Sequence, residues 1–134
     1  MANILIVNNH PTLRGAFAGM LTLSGITANE IWEVGDITEC LNLLSQGKII
    51  NLIVFDADLF DTSSIEFIKI IRTKRRFVPI LITYTEGSDE IIGDAVSAGA
   101  IDFIKMPFIP EQLQEKAVRL ACELKCIYCG NCKQ

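Results

Sequence analysis

The sequence has few of the residues that mark several large protein classes. It holds one histidine, one tryptophan and four prolines among 134 residues, and 7% of its residues are aromatic. No apolar run approaches the roughly 20 residues of a membrane-spanning helix, and the start of the chain lacks the basic and apolar segments of a secretory signal. Basic residues are not in excess, because 12 of them are balanced by 16 acidic residues. We therefore predict a cytoplasmic protein that contacts neither a membrane nor nucleic acid directly.

The overall composition is typical of a packed globular domain. Half of the residues are hydrophobic and 21% are charged, for a net charge of −4, and this length suffices to bury a core without disulfides. The one basic cluster, Lys74-Arg75-Arg76, falls between two predicted elements, and we interpret it as a solvated loop. The sequence shows no Ser/His/Asp or Cys/His arrangement, and the turn at residues 8–11 lacks the glycines of a nucleotide-binding loop. We therefore expect no enzyme.

Segments of strand and helix character alternate five times along the chain. Apolar, β-branched runs predict strands at 4–7, 30–34, 51–56, 79–84 and 101–104. Apolar residues at helical spacing predict helices that begin near 11, 36, 63, 88 and 111, the last ending near 125. Asp36 is a predicted N-cap, and Gly25, Gly47 and Gly99 are predicted helix stops.

Helical crossovers of this length force the strands to be parallel and place helices on both faces of the sheet. We predict an α/β fold, a doubly wound five-stranded parallel sheet in three layers, α/β/α. Residues 1–125 form the predicted domain, and residues 126–134 form a cysteine-rich C-terminal tail.

The central strand is predicted from one uncharged run that ends in a carboxylate. Residues 51–55, Asn-Leu-Ile-Val-Phe, precede Asp56, and such a run is typical of a strand buried on both faces. In an open parallel sheet, functional groups collect at the carboxyl ends of the strands. Asp56 is therefore the residue at which we expect chemistry, provided that neighbouring strands supply partners.

Four segments at the predicted strands carry a resemblance to a known family. They are Ile-Leu-Ile-Val-Asn-Asn-His-Pro at 4–11, Asn-Leu-Ile-Val-Phe-Asp at 51–56, Pro-Ile-Leu-Ile-Thr-Tyr at 79–84 and Gly-Ala-Ile-Asp-Phe-Ile-Lys-Met-Pro-Phe at 99–108. In order, spacing and strand context, the chain from Asn3 to about Glu123 resembles the receiver domain of bacterial two-component response regulators, which has the flavodoxin-like fold. The resemblance implies that Asp56 lies at the position that accepts a phosphoryl group from a histidine kinase.

The resemblance also implies three groups that assist Asp56, and this sequence lacks them. The family's acidic pair, which helps to hold Mg²⁺, falls on Asn8 and Asn9; its Ser or Thr falls on Tyr84; its Lys falls on Met106. Phosphoryl transfer depends on cations around the equatorial oxygens, and Mg²⁺ prefers carboxylate ligands. We therefore interpret the chain as a degenerate receiver, or pseudo-receiver, and expect no Mg²⁺ or other cofactor at Asp56.

Neighbouring residues offer substitutes for the missing groups. Asp58 and Asp61 follow Asp56 in the next loop, and a looped-back carboxylate would replace one of the acidic pair. Thr83 and Thr85 each lie one residue from the hydroxyl position. Lys105 lies one residue from the lysine position, where such a shift normally turns a side chain to the other face. Loss of the site is the interpretation that we favour, and slow phosphorylation of Asp56 is the alternative.

Four of the five cysteines crowd into the last thirteen residues. Their spacing is C-x3-C-x2-C-x2-C, at Cys122, Cys126, Cys129 and Cys132. Thiolates at this density suit Zn²⁺ or an iron–sulfur cluster, and the Cys-x-x-Cys steps suit reversible disulfide chemistry. The spacing differs from that of a zinc ribbon, so a frayed tail of free thiols is the alternative. Cys40, on the apolar face of the second helix, is predicted to be a core residue.

The predicted function is that of a non-catalytic signalling module in a phosphorelay. By the resemblance, its partner is a sensor kinase or an effector domain, bound through the last strand and the helices beside it, where the family also forms homodimers. Without the phosphorylation groups its switch would be constitutive or driven by another signal. Two alternatives stay open: a slow phosphate acceptor acting through Asp56, and a metal or redox sensor acting through the C-terminal cysteines.

Overall fold

Strands and helices alternate along the part of the chain that the computed structural model describes, residues 2–23, 28–56, 64–85, 89–100 and 102–129. In chain order the elements are β1 (Ala2–Val7), α1 (Pro11–Thr22), β2 (Ala28–Val34), α2 (Ile37–Ser45), β3 (Leu52–Asp56), α3 (Ser64–Lys74), β4 (Ile80–Tyr84), α4 (Asp89–Ala98), β5 (Asp102–Lys105) and α5 (Pro110–Cys129). This order confirms the predicted α/β alternation.

The strands form one parallel sheet in the order β2-β1-β3-β4-β5. β3 is the central strand, and each of its residues from Leu52 to Phe55 is at most 1% exposed. A strand covered on both faces reads as an unbroken apolar run rather than as an alternating one. Asp56 ends this strand and is half-buried, which confirms its predicted place at the carboxyl end of the central strand.

The helices cover both faces of the sheet, as a doubly wound fold requires. Successive residues of a strand point to opposite faces, so Leu5 and Ile53 pack with α2, α3 and α4, whereas Ile4 and Leu52 pack with α1 and α5. Cys40 of α2 is fully buried, as predicted, and burial raises the pKa of its thiol to about 12.

The predicted cap and two of the predicted stops lie at helix ends. The Oδ1 atom of Asp36 accepts a hydrogen bond from the backbone N–H of Glu39 at 2.8 Å, which caps α2. Gly47 and Gly99 follow α2 and α4 with φ angles of 76° and 123°, a region that side-chain-bearing residues rarely adopt. At Gly99 a Cβ atom would also lie 2.7 Å from the Nε atom of Arg72.

Arg72 of α3 donates hydrogen bonds to three backbone carbonyl groups, two in the connection from α3 to β4 and one in the turn before β5. Its Nε and Nη2 atoms donate to the carbonyl oxygen of Gly99 at 3.1 Å and 2.6 Å. Its Nη1 atom donates to the carbonyl oxygens of Arg75 at 3.2 Å and Val78 at 2.5 Å. Burial lowers the pKa of Arg72, but a guanidinium stays charged in proteins. One side chain thus joins the end of α3, the approach to β4 and the turn before β5.

Asp102 joins the start of β5 to α5. Its Oδ2 atom accepts hydrogen bonds from Lys116 Nζ at 2.9 Å and Arg119 Nη2 at 2.5 Å. Burial raises the pKa of Asp102, but the hydrogen bond from Lys116, the backbone N–H of Phe103 and the charges of Lys116 and Arg119 outweigh it and leave this pKa below its usual value. α5 is therefore held against the edge strand.

Three elements are longer than predicted. β1 begins at Ala2 rather than at residue 4. β2 begins at Ala28 rather than at residue 30, because its pairing with β1 continues to Ala2. α5 continues to Cys129 rather than ending near residue 125, because no glycine or proline interrupts the sequence before Gly130. The predicted boundary between domain and tail therefore falls inside one helix, and that division stays a prediction.

Some predictions fall outside the described part of the chain. Gly25, the predicted stop of the first helix, is one of them, and the described helix α1 ends at Thr22. Residue 63, the predicted start of the third helix, is another, and α3 is described from Ser64 onward. No helix within the described ranges is long and apolar enough to cross a membrane.

Candidate functional site

The carboxyl ends of the central strands meet at one edge of the sheet, and Asp56 lies among them. The register places Asp56 beside Thr83 of β4, and places Phe55 beside Val7 of β1, so that Asn8 follows next. The Asn8 Nδ2 atom lies 3.4 Å from Asp56 Oδ2, and the Thr83 Oγ1 atom lies 3.5 Å from Asp56 Oδ1. Both distances are near the outer limit for a hydrogen bond, so each contact is weak.

Asn8 is held in place by contacts along its whole length. It is 1% exposed, and its backbone N–H donates to the carbonyl oxygen of Val34 at 3.1 Å. Its Oδ1 atom accepts from the backbone N–H of His10 at 2.7 Å, which turns the amide NH₂ group toward Asp56. Asp56 thus faces a neutral donor at this position, whereas a metal ion needs an oxygen ligand there.

The hydroxyl group that contacts Asp56 belongs to Thr83, not to the predicted position at Tyr84. Thr83 is fully buried, and the register that pairs it with Asp56 puts both side chains on the same face of the sheet. Tyr84 is half-buried, packs with the core under α2, α3 and α4, and meets the ring of Phe103 edge-on at 6.3 Å. The resemblance placed Thr83 one residue from the hydroxyl position because it counts spacing along the chain, whereas pairing with β3 decides which side chain reaches Asp56.

The position predicted for a cation holds an apolar side chain in the structure. Met106 is half-buried against the core under α1 and α5, and its backbone N–H donates to the carbonyl oxygen of Tyr84 at 2.7 Å. Lys105 is exposed and pairs in register with Tyr84, which places it on the face opposite Asp56. The register is thus consistent with the expected effect of the one-residue shift, and the orientation of the Lys105 side chain stays a prediction.

A cation that the sequence did not single out lies near this edge. Arg14, in the first turns of α1, donates from Nη1 to the carbonyl oxygen of Asn8 at 2.8 Å. Its Nε atom lies 3.6 Å from Glu33 Oε1, too long for a hydrogen bond but close enough for attraction between charges. The sequence signal for these contacts was the position of Arg14 in the first turns of a helix, where a side chain points back toward the strand that precedes the helix. The Arg14 guanidinium therefore contacts the residue that follows β1 and a residue of β2.

The groups around Asp56 do not match the ligand set that Mg²⁺ prefers. Asn8 presents an amide NH₂ group and Asn9 is exposed, so the two positions supply no carboxylate. Asp58 and Asp61, the predicted substitutes, lie outside the described residues. Within the described ranges, no group of three or more His, Cys, Asp or Glu residues is placed to hold a metal ion.

The C-terminal cysteines are described only in part. Cys122, Cys126 and Cys129 lie on the backbone of α5, and Cys132 lies outside the described residues. With a helical rise of about 1.5 Å per residue, the first and third of these positions are about 10.5 Å apart along the axis. A metal or redox role for the cysteines stays a prediction.

Comparison with known proteins agrees with this fold. Residues 4–118 match the family model of the response regulator receiver domain. Over 115 residues the chain is 26% identical to a chemotaxis protein CheY homolog of Campylobacter jejuni, covering 84% of this chain and 87% of that protein. It is equally similar, at 26% over 115 residues, to the chemotaxis protein CheY1 of Helicobacter pylori, with coverage of 84% and 91%.

Solved structures show the same architecture. The chemotaxis response regulator CheY4 of Vibrio cholerae is 28% identical and superposes with a TM-score of 0.76, covering 90% of this chain and 98% of that one. A response regulator receiver domain protein of Clostridium thermocellum superposes with a TM-score of 0.84 over 95% of this chain and 99% of its own. At 18% identity, the second likeness concerns the fold alone.

Proposed function

This chain belongs to the response regulator receiver domain family of two-component signalling, and on that premise we propose that it is a degenerate, phosphorylation-independent member. It acts in the cytoplasm without catalysis and without a bound cofactor, by binding a protein partner. The partner is a sensor kinase or an effector domain of a phosphorelay. Its binding to the partner is constitutive or is controlled by a signal other than phosphorylation.

The observation that carries this proposal is the Asn8 amide facing Asp56. A phosphoryl group on Asp56 would bring more negative charge beside an amide and a hydroxyl group that lie at the outer limit of hydrogen bonding. Phosphoryl transfer relies on cations that neutralise the equatorial oxygens. Met106 packs into the core instead of supplying such a cation. The neutral side chains at positions 8 and 106 support the proposal, because labelling of Asp56 needs electrostatic stabilisation by charged groups.

The side of the domain formed by β5, α4 and α5 is the proposed partner surface. Three large apolar side chains on or next to these elements are exposed: Val96 on α4 at 48%, Ile109 before α5 at 59% and Val118 on α5 at 45%. A shallow groove of about 540 Å³ runs beside Val118 along α5. Exposed apolar side chains within a polar rim are typical of protein contact surfaces, and the same surface would serve a homodimer.

A second candidate function rests on Thr83. Its hydroxyl group contacts Asp56, so one of the groups that assist phosphoryl transfer is replaced from a neighbouring position. In this alternative Asp56 is a genuine but slow phosphate acceptor, with Mg²⁺ held weakly. The two candidates differ in whether Mg²⁺ binds at Asp56 at all.

Thermal unfolding with and without Mg²⁺ distinguishes them. We expect about 10 mM Mg²⁺ to leave the melting temperature of the native chain unchanged, because a ligand stabilises a fold only when it binds it. In the variant Asn8→Asp/Asn9→Asp a carboxylate would face Asp56 across the 3.4 Å that now separates amide from carboxylate. Without Mg²⁺ the repulsion is expected to cost about 1–3 kcal/mol of stability, and Mg²⁺ is expected to restore it.

The matched control is Asn42→Asp/Gln46→Glu, which adds the same charge at two exposed positions at the end of α2. Mg²⁺ should not shift its melting temperature. If Mg²⁺ stabilises the native chain, and Asp56→Asn removes that effect, the second candidate function is correct and the first is not.

A further inference from the structure

A basic groove opens at the end of the sheet opposite Asp56. It is lined by Ile50, Lys74, Arg75, Arg76, Phe77 and Val78 and encloses about 400 Å³. These residues lie just before β3 and β4, whose amino ends are adjacent because the backbone N–H of Ile53 donates to the carbonyl oxygen of Pro79 at 3.0 Å. The groove is therefore separate from the strand ends that surround Asp56 and from the proposed partner surface on β5, α4 and α5.

Two of the three basic residues are fixed in place by contacts with α2. Arg75 Nη2 donates to the carbonyl oxygen of Leu44 at 2.8 Å, and Lys74 Nζ lies 3.4 Å from Ser45 Oγ. These contacts join the carboxyl ends of α2 and α3 and position residues that line the groove. The predicted solvated loop is therefore partly ordered, because Arg75 is half-buried against another helix.

The charge of the groove has one sign. Three consecutive cations line it, and its lining includes no acidic residue, although the whole chain carries a net charge of −4. Lys48, in the adjacent connection before β3, adds a fourth cation, with its Nζ atom 5.4 Å from the ring centre of Trp32. A concentrated positive surface on an acidic protein attracts an anionic partner and repels other copies of the same groove.

A large apolar side chain is exposed beside these cations. Phe77 lines the groove and is 59% exposed, and the guanidinium of Arg76 lies 5.7 Å from the ring centre of Phe77. Ile49, which precedes the groove residue Ile50 in the chain, is 71% exposed. Arg and aromatic residues are enriched in the residues that contribute most to protein–protein binding. Binding to a nucleic acid backbone, by contrast, uses phosphate contacts and gains little from exposed aliphatic side chains.

We propose that this groove, lined by Ile50 and residues 74–78, binds an acidic protein segment that carries apolar side chains. Carboxylates of the segment pair with Lys74 and Arg76, and its apolar side chains cover Phe77. The inference goes beyond the proposed partner surface on β5, α4 and α5, because it assigns a second surface and the chemistry of its partner. Peptide binding at this groove and labelling of Asp56 are separate measurements, so either result can fail while the other stands.

The test is fluorescence anisotropy with a labelled twelve-residue peptide in which Glu-Glu pairs alternate with Leu or Phe. A second peptide has Gln in place of every Glu. We expect saturable binding of the Glu peptide, at least about tenfold weaker binding of the Gln peptide, and weaker binding of the Glu peptide as salt is raised. Failure of the Glu peptide to saturate, or equal binding of both peptides, would overturn the proposal.

Two charge reversals on the same stretch of chain locate the site. Arg76→Glu changes the groove, whereas Lys69→Glu makes the same change of charge at an exposed position of α3 outside it. We expect Arg76→Glu to weaken Glu-peptide binding at least about tenfold and Lys69→Glu to weaken it less than about twofold. Lys74→Glu serves as a second groove variant if Arg76→Glu lowers the melting temperature. Equal losses from both reversals would show a general charge effect and contradict the assignment.

Other anionic partners are outcomes of the same experiment. Vesicles that contain phosphatidylserine and a short DNA duplex are titrated under the same conditions. If the vesicles or the DNA duplex bind more tightly than the Glu peptide, and this binding is lost in Arg76→Glu and kept in Lys69→Glu, that ligand and not the acidic segment is the occupant of the groove. Weaker binding, or binding that does not depend on Arg76, supports the acidic segment.

Discussion

Restoring the charged groups around Asp56 is expected to convert an unlabelled protein into one that acetyl phosphate labels at about one phosphoryl group per chain. The variant is Asn8→Asp/Asn9→Asp/Met106→Lys. Two carboxylates beside Asp56 attract Mg²⁺, and the new ammonium group neutralises charge on the bound phosphoryl group. Thr83 already places a hydroxyl group 3.5 Å from the Asp56 carboxylate, so no substitution at Tyr84 is needed.

Two controls accompany this variant. Asp56→Asn in the same background should abolish labelling, because it removes the acceptor oxygen. Asn42→Asp/Gln46→Glu changes the charge at exposed sites of α2 and should remain unlabelled. A triple variant that folds and binds Mg²⁺ but stays unlabelled would contradict the view that these three positions limit the site.

Loss of Arg72 is expected to cause the largest loss of stability among single substitutions of charged residues. Arg72→Ala removes hydrogen bonds to the carbonyl oxygens of Gly99, Val78 and Arg75. The cost is expected to be about 2–4 kcal/mol, because partly buried carbonyl groups are left without donors. Urea unfolding gives the free energy, and the melting temperature should fall by roughly 10 °C.

Lys69→Ala is the matched control for this loss, because Lys69 lies on the same helix with its side chain 59% exposed. It should change the free energy of unfolding by less than about 0.5 kcal/mol. Arg72→Lys should recover only part of the loss, since one ammonium group does not span the carbonyl groups that the planar guanidinium reaches. Equal effects of Arg72→Ala and Lys69→Ala would show that the contacts of Arg72 do not hold α3 to the turn before β5.

The fold was predictable because local signals and global packing agree. The uncharged run before Asp56 predicted a strand covered on both faces, and β3 is the central strand. Gly99 marked the end of α4 because its φ of 123° excludes most other residues. The length of α5 was less predictable, since nothing in its sequence distinguishes residue 125 from the helical residues that follow it.

The candidate site was predictable in its location but not in its contacts. Spacing along the chain placed Asp56 at the correct edge, because parallel strands end together. Spacing did not show that Thr83 would reach Asp56, because that depends on the register between β3 and β4. It also did not show that the Asn8 amide would be turned toward Asp56, which depends on the backbone N–H of His10. Contacts between distant parts of the chain are set by packing, which a short motif does not encode.

Labelling of the native chain is the most direct test of the central claim. The protein is incubated with acetyl phosphate and Mg²⁺, and its intact mass is measured beside that of the triple variant and of Asp56→Asn. We predict that the native chain gains no phosphoryl group under conditions in which the triple variant is labelled. A gain of one phosphoryl group by the native chain, absent in Asp56→Asn, would contradict the account and show that Asp56 still works as an acceptor.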